Sequence, residues 1–288
     1  MKFAILVNPV AGRMNLYEKL TAMQEVAVLL EAQIYGIRTG SADEFKRLAQ
    51  RLATTYDVLV VAGGDGTLSD VINAVDLNQV ILAYLPIGTG NAMRYALQYQ
   101  GTLVDIGRQI KYGSVHACDL IDIDERYKGF MVSLGFEGTV IQLRDKYKKR
   151  GMRGVTSYVF SIADAALRTY KRPNATLNLD RRLLSLPHLF SVMAVKIPYY
   201  GLGMKVVPKA KFNDGQLHVA WTNTGLSGAT IAALSAFFTG NRFGQYATAH
   251  TLSVRTSHPV ALQIDGNKGW SANRFEFRIQ PKILNMLY

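Results

Sequence analysis

Apolar positions follow two rhythms in the first part of the chain. Lys2–Val7 is a short apolar run, as a strand would be, while Asn15–Ala32 sets Leu16, Leu20, Met23, Val26, Ala27 and Leu30 at helical spacing. Gln33–Arg38 reads as a strand. Ser41 is placed as an N-cap, with Asp43 and Glu44 in the first turn of a helix reaching Thr54. Asp57–Ala62 is a continuous apolar run ending in glycines, as a buried parallel strand should be. Thr67–Val75 reads as a helix, Val80–Leu85 as a strand and Asn91–Tyr99 as a helix. Strand and helix in alternation predict an α/β domain on a parallel sheet, with ligands bound at the carboxyl ends of the strands.

The texture changes near residue 123. Strand-like runs then dominate: Gly129–Leu134, Ala175–Leu179, Leu189–Ile197, Gln216–Trp221, Thr251–Arg255, Val260–Ile264 and Arg274–Ile279. Helical stretches interrupt them at Tyr158–Tyr170 and Leu226–Phe238. A second, mostly antiparallel β domain is expected. No apolar stretch reaches the ~20 residues that span a bilayer.

Composition narrows the class. Hydrophobic residues make 49% of the 288 and charged residues 19%, which excludes a disordered chain. The single cysteine, Cys118, allows no internal disulfide and fits a reducing cytoplasm. Thirty-three Lys and Arg against 21 Asp and Glu leave a net charge of +12. Such a balance points to an anionic partner. Nucleic acid is disfavoured, because no helix-turn-helix, RNP or zinc pattern appears. The five histidines show no metal-ligand spacing.

Three glycine-bearing loops follow three predicted strands: Asn8-Pro9-Val10-Ala11-Gly12, Gly63-Gly64-Asp65-Gly66-Thr67 and Pro86-Ile87-Gly88-Thr89-Gly90-Asn91. Glycine lets successive N–H groups turn toward one anion, and a following helix N-terminus adds partial positive charge. A tight βα turn uses the same residues, but three such loops in register favour phosphate. Asp65 would repel a bare phosphate, and a Mg²⁺ between them resolves the conflict. Neither a P-loop nor a Rossmann fingerprint is present.

The set NPVAG, GGDGT and PIGTGN resembles the soluble diacylglycerol kinase-like lipid kinases, which include the sphingosine and ceramide kinases. Cys118-Asp119-Leu120, Leu134-Gly135-Phe136-Glu137, Asn213-Asp214-Gly215-Gln216-Leu217 and Ile264-Asp265-Gly266 extend the resemblance over nearly the whole chain. It implies an α/β ATP-binding domain over residues 1–123, to which 280–288 returns. A β-sandwich lipid-substrate domain would cover 124–279, with the active site between the two. The implied reaction is transfer of the γ-phosphoryl group of Mg·ATP to a lipid hydroxyl, diacylglycerol-like or sphingoid. ATP contacts carried over by motif are Asn8, Pro9, Val10, Ala11, Gly12, Thr39, Gly63, Gly64, Asp65, Gly66, Thr67, Leu68, Ser69, Asp70, Gly88 and Thr89. Mg²⁺ would use Asp65 and Asp119. A structural Mg²⁺ would sit on the Asp214 side chain and the backbone oxygens of Lys211 and Gln216, although Asp-Gly is equally a hairpin-turn signal.

Two departures stand out. Ala92 follows Asn91 where the family often has an acidic residue, and the late motif reads Asp265-Gly266-Asn267 where the family has Asp-Gly-Glu. The missing glutamate is the family's proton acceptor, so Asp265 is the candidate base, with Asn267 orienting the hydroxyl. Asp265 as a plain turn residue is the competing reading. The expected enzyme is cytoplasmic and peripherally membrane-associated, and homodimerisation stays open. The cluster Arg144, Lys146, Lys148, Lys149, Arg150 and Arg153 is either a solvated helix end or a patch for an anionic membrane. Two other functions remain: an NAD kinase, which shares GGDGT but for which no second Asn-Glu motif follows, and a catalytically weak lipid- or nucleotide-binding protein.

Overall fold

The computed structural model describes residues 1–152, 154–241 and 244–288. The chain forms two compact units. The first holds Met1–Leu120, Tyr199–Gly203 and Pro281–Tyr288, the second Ile121–Pro198 and Met204–Gln280.

The first unit runs β1 (Phe3–Val7), α1 (Leu16–Leu30), β2 (Gln33–Tyr35), α2 (Ala42–Ala53), β3 (Val58–Gly63), α3 (Asp65–Ile72), β4 (Ile81–Pro86), α4 (Ala92–Ala96) and α5 (Leu103–Tyr112). Its strands are parallel, in the order β2-β1-β3-β4. Every residue of β3 is buried, which is why that run carries no alternation. The helix starts follow their caps. Asn15 and Glu18 form a capping box on α1, and the Ser41 hydroxyl accepts the Glu44 N–H at 3.2 Å. Two elements fall short of expectation. β2 stops at Tyr35 because Gly36 turns at φ 87°. The helix expected over Asn91–Tyr99 ends at Ala96, two residues before Gln98 takes a left-handed φ of 57°. Thr102 then caps α5, whose Leu103, Ile106 and Ile110 stand at helical spacing although no helix was expected there.

The placement of Tyr199–Gly203 was also unannounced. Gly90 and Gly201 approach closely enough that a Cβ on either would lie 3.3 Å from the other's Cα, and the Leu202 N–H donates to the Gly90 carbonyl at 2.8 Å.

β5 (Val115–Ile123) leads into the second unit, followed by β6 (Tyr127–Gly129), β7 (Met131–Gly135), α6 (Phe136–Lys149) and α7 (Gly154–Asp164). α7 continues as a wider helical turn over Ala165–Thr169. Then come β8 (Ala175–Leu179), β9 (Arg182–Leu186), β10 (Ser191–Val195), β11 (Leu217–Thr222), α8 (Gly225–Phe238), β12 (Gln245–Ala249), β13 (Thr251–Ile264) and β14 (Asn267–Leu287). The order β12-β11-β10-β7-β13-β14 is antiparallel throughout, and β8 joins β13 and β9. This is the mostly antiparallel β-sandwich expected for the second part, closed over a core that includes Leu177, Val219, Val254, Leu262, Phe275 and Phe277. The two strands expected at 251–255 and 260–264 are one strand whose register shifts between Arg255 and Val260, beside Pro259. Proline has no N–H for a ladder, so the strand bends there.

Candidate functional site

In the first unit β2 lies on one side of β1 and β3 on the other, so the chain crosses over β1 between them. A parallel sheet binds ligands outside the carboxyl ends of its strands at such a switch point. The three glycine loops converge there. The Asn8 side-chain amide donates to Thr67 Oγ1 at 2.8 Å. The backbone N–H groups of Ile87 and Gly88 both donate to the Gly63 carbonyl at 3.0 Å. A Cβ on Gly88 would sit 2.4 Å from the Gly64 Cα, and one on Gly12 would sit 1.9 Å from the Ile87 carbonyl oxygen. Only glycine permits these approaches.

The three helix ends near these loops differ. α1 begins at its own cap, Asn15, beyond the first loop. At α4 the expected open N-terminus is taken up: Asp65 Oδ2 accepts the Ala92 N–H and Oδ1 the Met93 N–H, both at 2.9 Å. α3 begins directly on the glycine loop, with Gly64 as N-cap and no side chain capping it. Asp65, its first residue, places a carboxylate in that first turn, so a phosphate there needs a cation beside it.

Burial pushes the Asp65 carboxyl above its ordinary range, while the Met93 and Ala92 N–H groups pull it back. Three backbone N–H groups, of Ala92, Met93 and Asp65 itself, share its two oxygens and leave one lone-pair direction. A Mg²⁺ arriving with a nucleotide fits this donor set, taking its other ligands from phosphate and water. Among the described residues no group of three or more His, Cys, Asp or Glu is placed to hold a metal on its own. Asp119 is tied to the C-terminal segment, its Oδ1 accepting the Lys282 N–H at 2.9 Å.

The remaining expected ATP residues divide. Thr39 donates to the Gly36 carbonyl at 2.7 Å in a turn after β2. Val10 and Thr89 are exposed. Asp70 pairs with Lys46 at 3.5 Å. Leu68 and Ser69 are buried within α3. Lys19, absent from the sequence reading, is buried at 2% exposure and donates to the Pro9 carbonyl inside the first loop. Burial lowers its pKa. The signal was there: Lys19 lies four positions before Met23, on the apolar stripe of α1.

In the second unit Asp265 and Gly266 form the two-residue turn between β13 and β14, both with positive φ (46° and 81°). That is the Asp-Gly hairpin turn. Asp265 Oδ1 accepts the Met131 N–H at 2.9 Å and the Phe130 N–H at 3.1 Å, with Oδ2 at 3.3 Å from the latter. Asn267 pairs with Ile264 at the first rung of the hairpin. The Asp214-Gly215 turn carries a buried lysine. Lys196 Nζ donates to Asp214 Oδ1 at 2.7 Å and to the Gln216 carbonyl at 2.5 Å. His218 Nε2 lies 2.8 Å from Asp214 Oδ2, and the Lys211 N–H points at the same ring nitrogen from 3.3 Å. At the expected structural Mg²⁺ site the Lys196 ammonium bonds two of the three expected oxygen donors, and its charge opposes a second cation there.

Within the basic cluster, the last turn of α6 gathers Lys146, Lys148 and Lys149, and Arg150 follows as its C-cap. Arg144 is folded over the Tyr158 ring at 4.1 Å. Arg153 lies outside the described residues. Val159, Phe160 and Ile162 on α7 are exposed. Among the described residues no helix is long and apolar enough to cross a membrane.

A family model described as the diacylglycerol kinase catalytic domain matches residues 2–123, and one described as the YegS C-terminal NAD kinase beta sandwich-like domain matches 130–288. The diacylglycerol kinase of Staphylococcus saprophyticus is 25% identical over 281 residues, covering 92% of this chain and 88% of that protein. A solved diacylglycerol kinase from Bacillus anthracis shares the fold with a TM-score of 0.75 at 18% identity, over 100% of this chain and 96% of that one. An NAD kinase from Archaeoglobus fulgidus, solved with ATP, is more distant in fold, at a TM-score of 0.54 and 9% identity over 100% of this chain and 94% of that one.

Proposed function

The chain belongs to the diacylglycerol kinase family of lipid kinases, and from that premise we propose that it transfers the γ-phosphoryl group of Mg·ATP to the hydroxyl of a diacylglycerol-like or sphingoid lipid. The observation that carries the reading is the meeting of three glycine loops, at Gly12, Gly64 and Gly88, around the Asp65 carboxylate. Phosphoryl transfer asks a protein for positioning and charge neutralisation rather than covalent help. The loops Asn8–Gly12, Gly63–Thr67 and Gly88–Thr89 frame the phosphates, their glycines allowing close backbone approach. Asp65, fixed by two N–H bonds, holds the Mg²⁺ that comes with the nucleotide. That ion neutralises phosphate charge when bound.

Asp265 accepts the hydroxyl proton in this reading, beside its bonds to the Phe130 and Met131 N–H groups. Asn267 orients the hydroxyl but has no basic site at neutral pH. Transfer is therefore slow. A weak enzyme that mainly binds lipid or nucleotide is the second reading, favoured by Asn267 and by the turn role of Asp265.

The lipid is reached from an anionic membrane surface. The basic end of α6 lies next in sequence to α7, whose exposed Val159, Phe160 and Ile162 supply apolar contact. Each basic residue near such a surface contributes about 1 kcal/mol. Binding to anionic vesicles should fall steeply with salt, and co-sedimentation indifferent to salt and lipid charge overturns it. The central test is radiolabelled ATP with a panel of diacylglycerols, sphingoid bases and ceramides in mixed vesicles, with NAD run beside them. Label in lipid alone supports the proposal. Label in NAD alone replaces it with an NAD kinase, and no label favours the weak binding protein.

A further inference from the structure

Lys196 is completely buried at the end of β10, 0% exposed. Its ammonium group lies 2.7 Å from Asp214 Oδ1 and 2.5 Å from the Gln216 carbonyl oxygen. A buried ammonium must find partners inside the protein, and a carboxylate plus a carbonyl supply them. Asp214 responds in kind. Burial alone would push its carboxyl up, but the Lys196 hydrogen bond and charge, with His218 behind them, hold it below its ordinary range.

A carboxylate oxygen and a backbone carbonyl on one tight turn are also the donors a hard divalent cation takes. We infer that the Lys196 ammonium replaces a divalent cation at the Asp214-Gly215 turn, so this unit folds without metal there. The turn closes its own charge: one ammonium, one carboxylate, and a carbonyl that accepts from the former. A second cation would meet the ammonium at contact distance in a site partly shut off from water, where like charges repel strongly. The inference does not depend on the phosphoryl-transfer reading, because it concerns the fold of one turn.

Two variants and a location-specific probe test it. Removing one partner of a buried pair is strongly destabilising, so Lys196→Ala should lower the melting temperature by on the order of 10 °C in chelator. Millimolar Ca²⁺ or Mn²⁺ should return part of that loss, and Asp214→Asn added to the same chain should abolish the return. In the wild type, melting should be the same in chelator and in Ca²⁺. The ring signals of His218, which touches Asp214, should also stay sharp in Mn²⁺, as paramagnetic NMR reports. Mn²⁺ broadening of His218 in the wild type would overturn the inference, and so would a folded Lys196→Ala chain that takes up no cation. If that variant fails to fold, the wild-type spectrum decides alone.

Discussion

Asp65 and Asp214 are both aspartates beside glycine at a turn, one in each unit, and the protein treats their charges oppositely. Asp214 is given an ammonium at 2.7 Å and an imidazole at 2.8 Å, and its carboxyl is drawn below the ordinary range. Asp65 receives backbone N–H groups, and burial leaves it above the ordinary range. A charge that burial opposes lowers stability at neutral pH, whereas one matched by a buried cation supports it. Strain of the first kind is kept where a ligand will relieve it, and closure of the second kind is what a structural turn needs.

The sharpest way to break this contrast is to remove each charge in turn. Asp65→Asn should reduce Mg·ATP-dependent transfer by ~10²–10³-fold, the size of losing one preorganised electrostatic contact. Its melting temperature should barely move, since the amide loses one N–H acceptor but also sheds an opposed charge. Asp214→Asn should do the reverse, melting several degrees lower while the surviving folded fraction keeps its specific activity. A rate assay on vesicles and a melting curve for each variant decide the matter. Near-normal turnover in Asp65→Asn would sink the phosphate-site assignment.

A smaller effect is expected at the β13–β14 turn. General-base help is typically worth ~10²–10⁴ in rate. Asp265 serves the fold as well, holding the Phe130 and Met131 N–H groups. Asp265→Asn should lower kcat at least tenfold with ATP binding unchanged, and Asn267→Glu should raise it. Should the wild type already be fast, and Asn267→Glu slow it, the base lies elsewhere.

Glycine separates the units in the same sense. An alanine Cβ at Gly88 would meet the Gly64 Cα at 2.4 Å, whereas at Gly215 it would meet nothing within 4 Å. Gly88→Ala should cost about 1–3 kcal/mol, as overpacking does, and weaken ATP binding. Gly215→Ala should cost about 1 kcal/mol from its φ of 70° alone and leave ATP binding untouched. Equal losses of ATP affinity in both would erase the distinction.

What the sequence discloses follows the same division. Periodicity and caps locate the parallel strands and the starts of α1 and α2, because local rules govern them. The glycine loops are visible for a related reason: close backbone approach leaves a residue-type signature. Partner choice across long separations leaves none. Nothing in the spacing says that Asp65 would cap α4, 27 positions on, or that Lys196 would reach Asp214, 18 positions on. α5 was legible too, with Leu103, Ile106 and Ile110 at helical spacing behind the Thr102–Asp105 capping box. Tyr199–Gly203 escaped notice because its place depends on glycine meeting glycine across more than a hundred residues.

The smallest expected effect tests whether the contrast is about charge compensation or merely about which unit a residue belongs to. Glu137 lies in the second unit, yet it resembles Asp65. It follows Phe136, whose ring stacks on Phe190 at 4.7 Å, and its Oε2 accepts the Ser191 hydroxyl at 2.6 Å. Burial pushes its carboxyl above the ordinary 4.5, against the pull of Ser191 and of its own backbone N–H. The folded state therefore holds this proton more tightly than the unfolded state. Its stability contribution is complete below about pH 4.5 and is lost as pH rises through the raised folded value. Glu137→Gln removes the ionisation and keeps an oxygen for Ser191. The variant should melt with the wild type near pH 4 and above it at neutral pH, with each kcal/mol worth about 2–4 °C at this chain length. A gap that is constant across pH, or a variant less stable at neutral pH, would show that Glu137 is compensated by a route other than Ser191. The contrast between Asp65 and Asp214 would then follow the units rather than the charges.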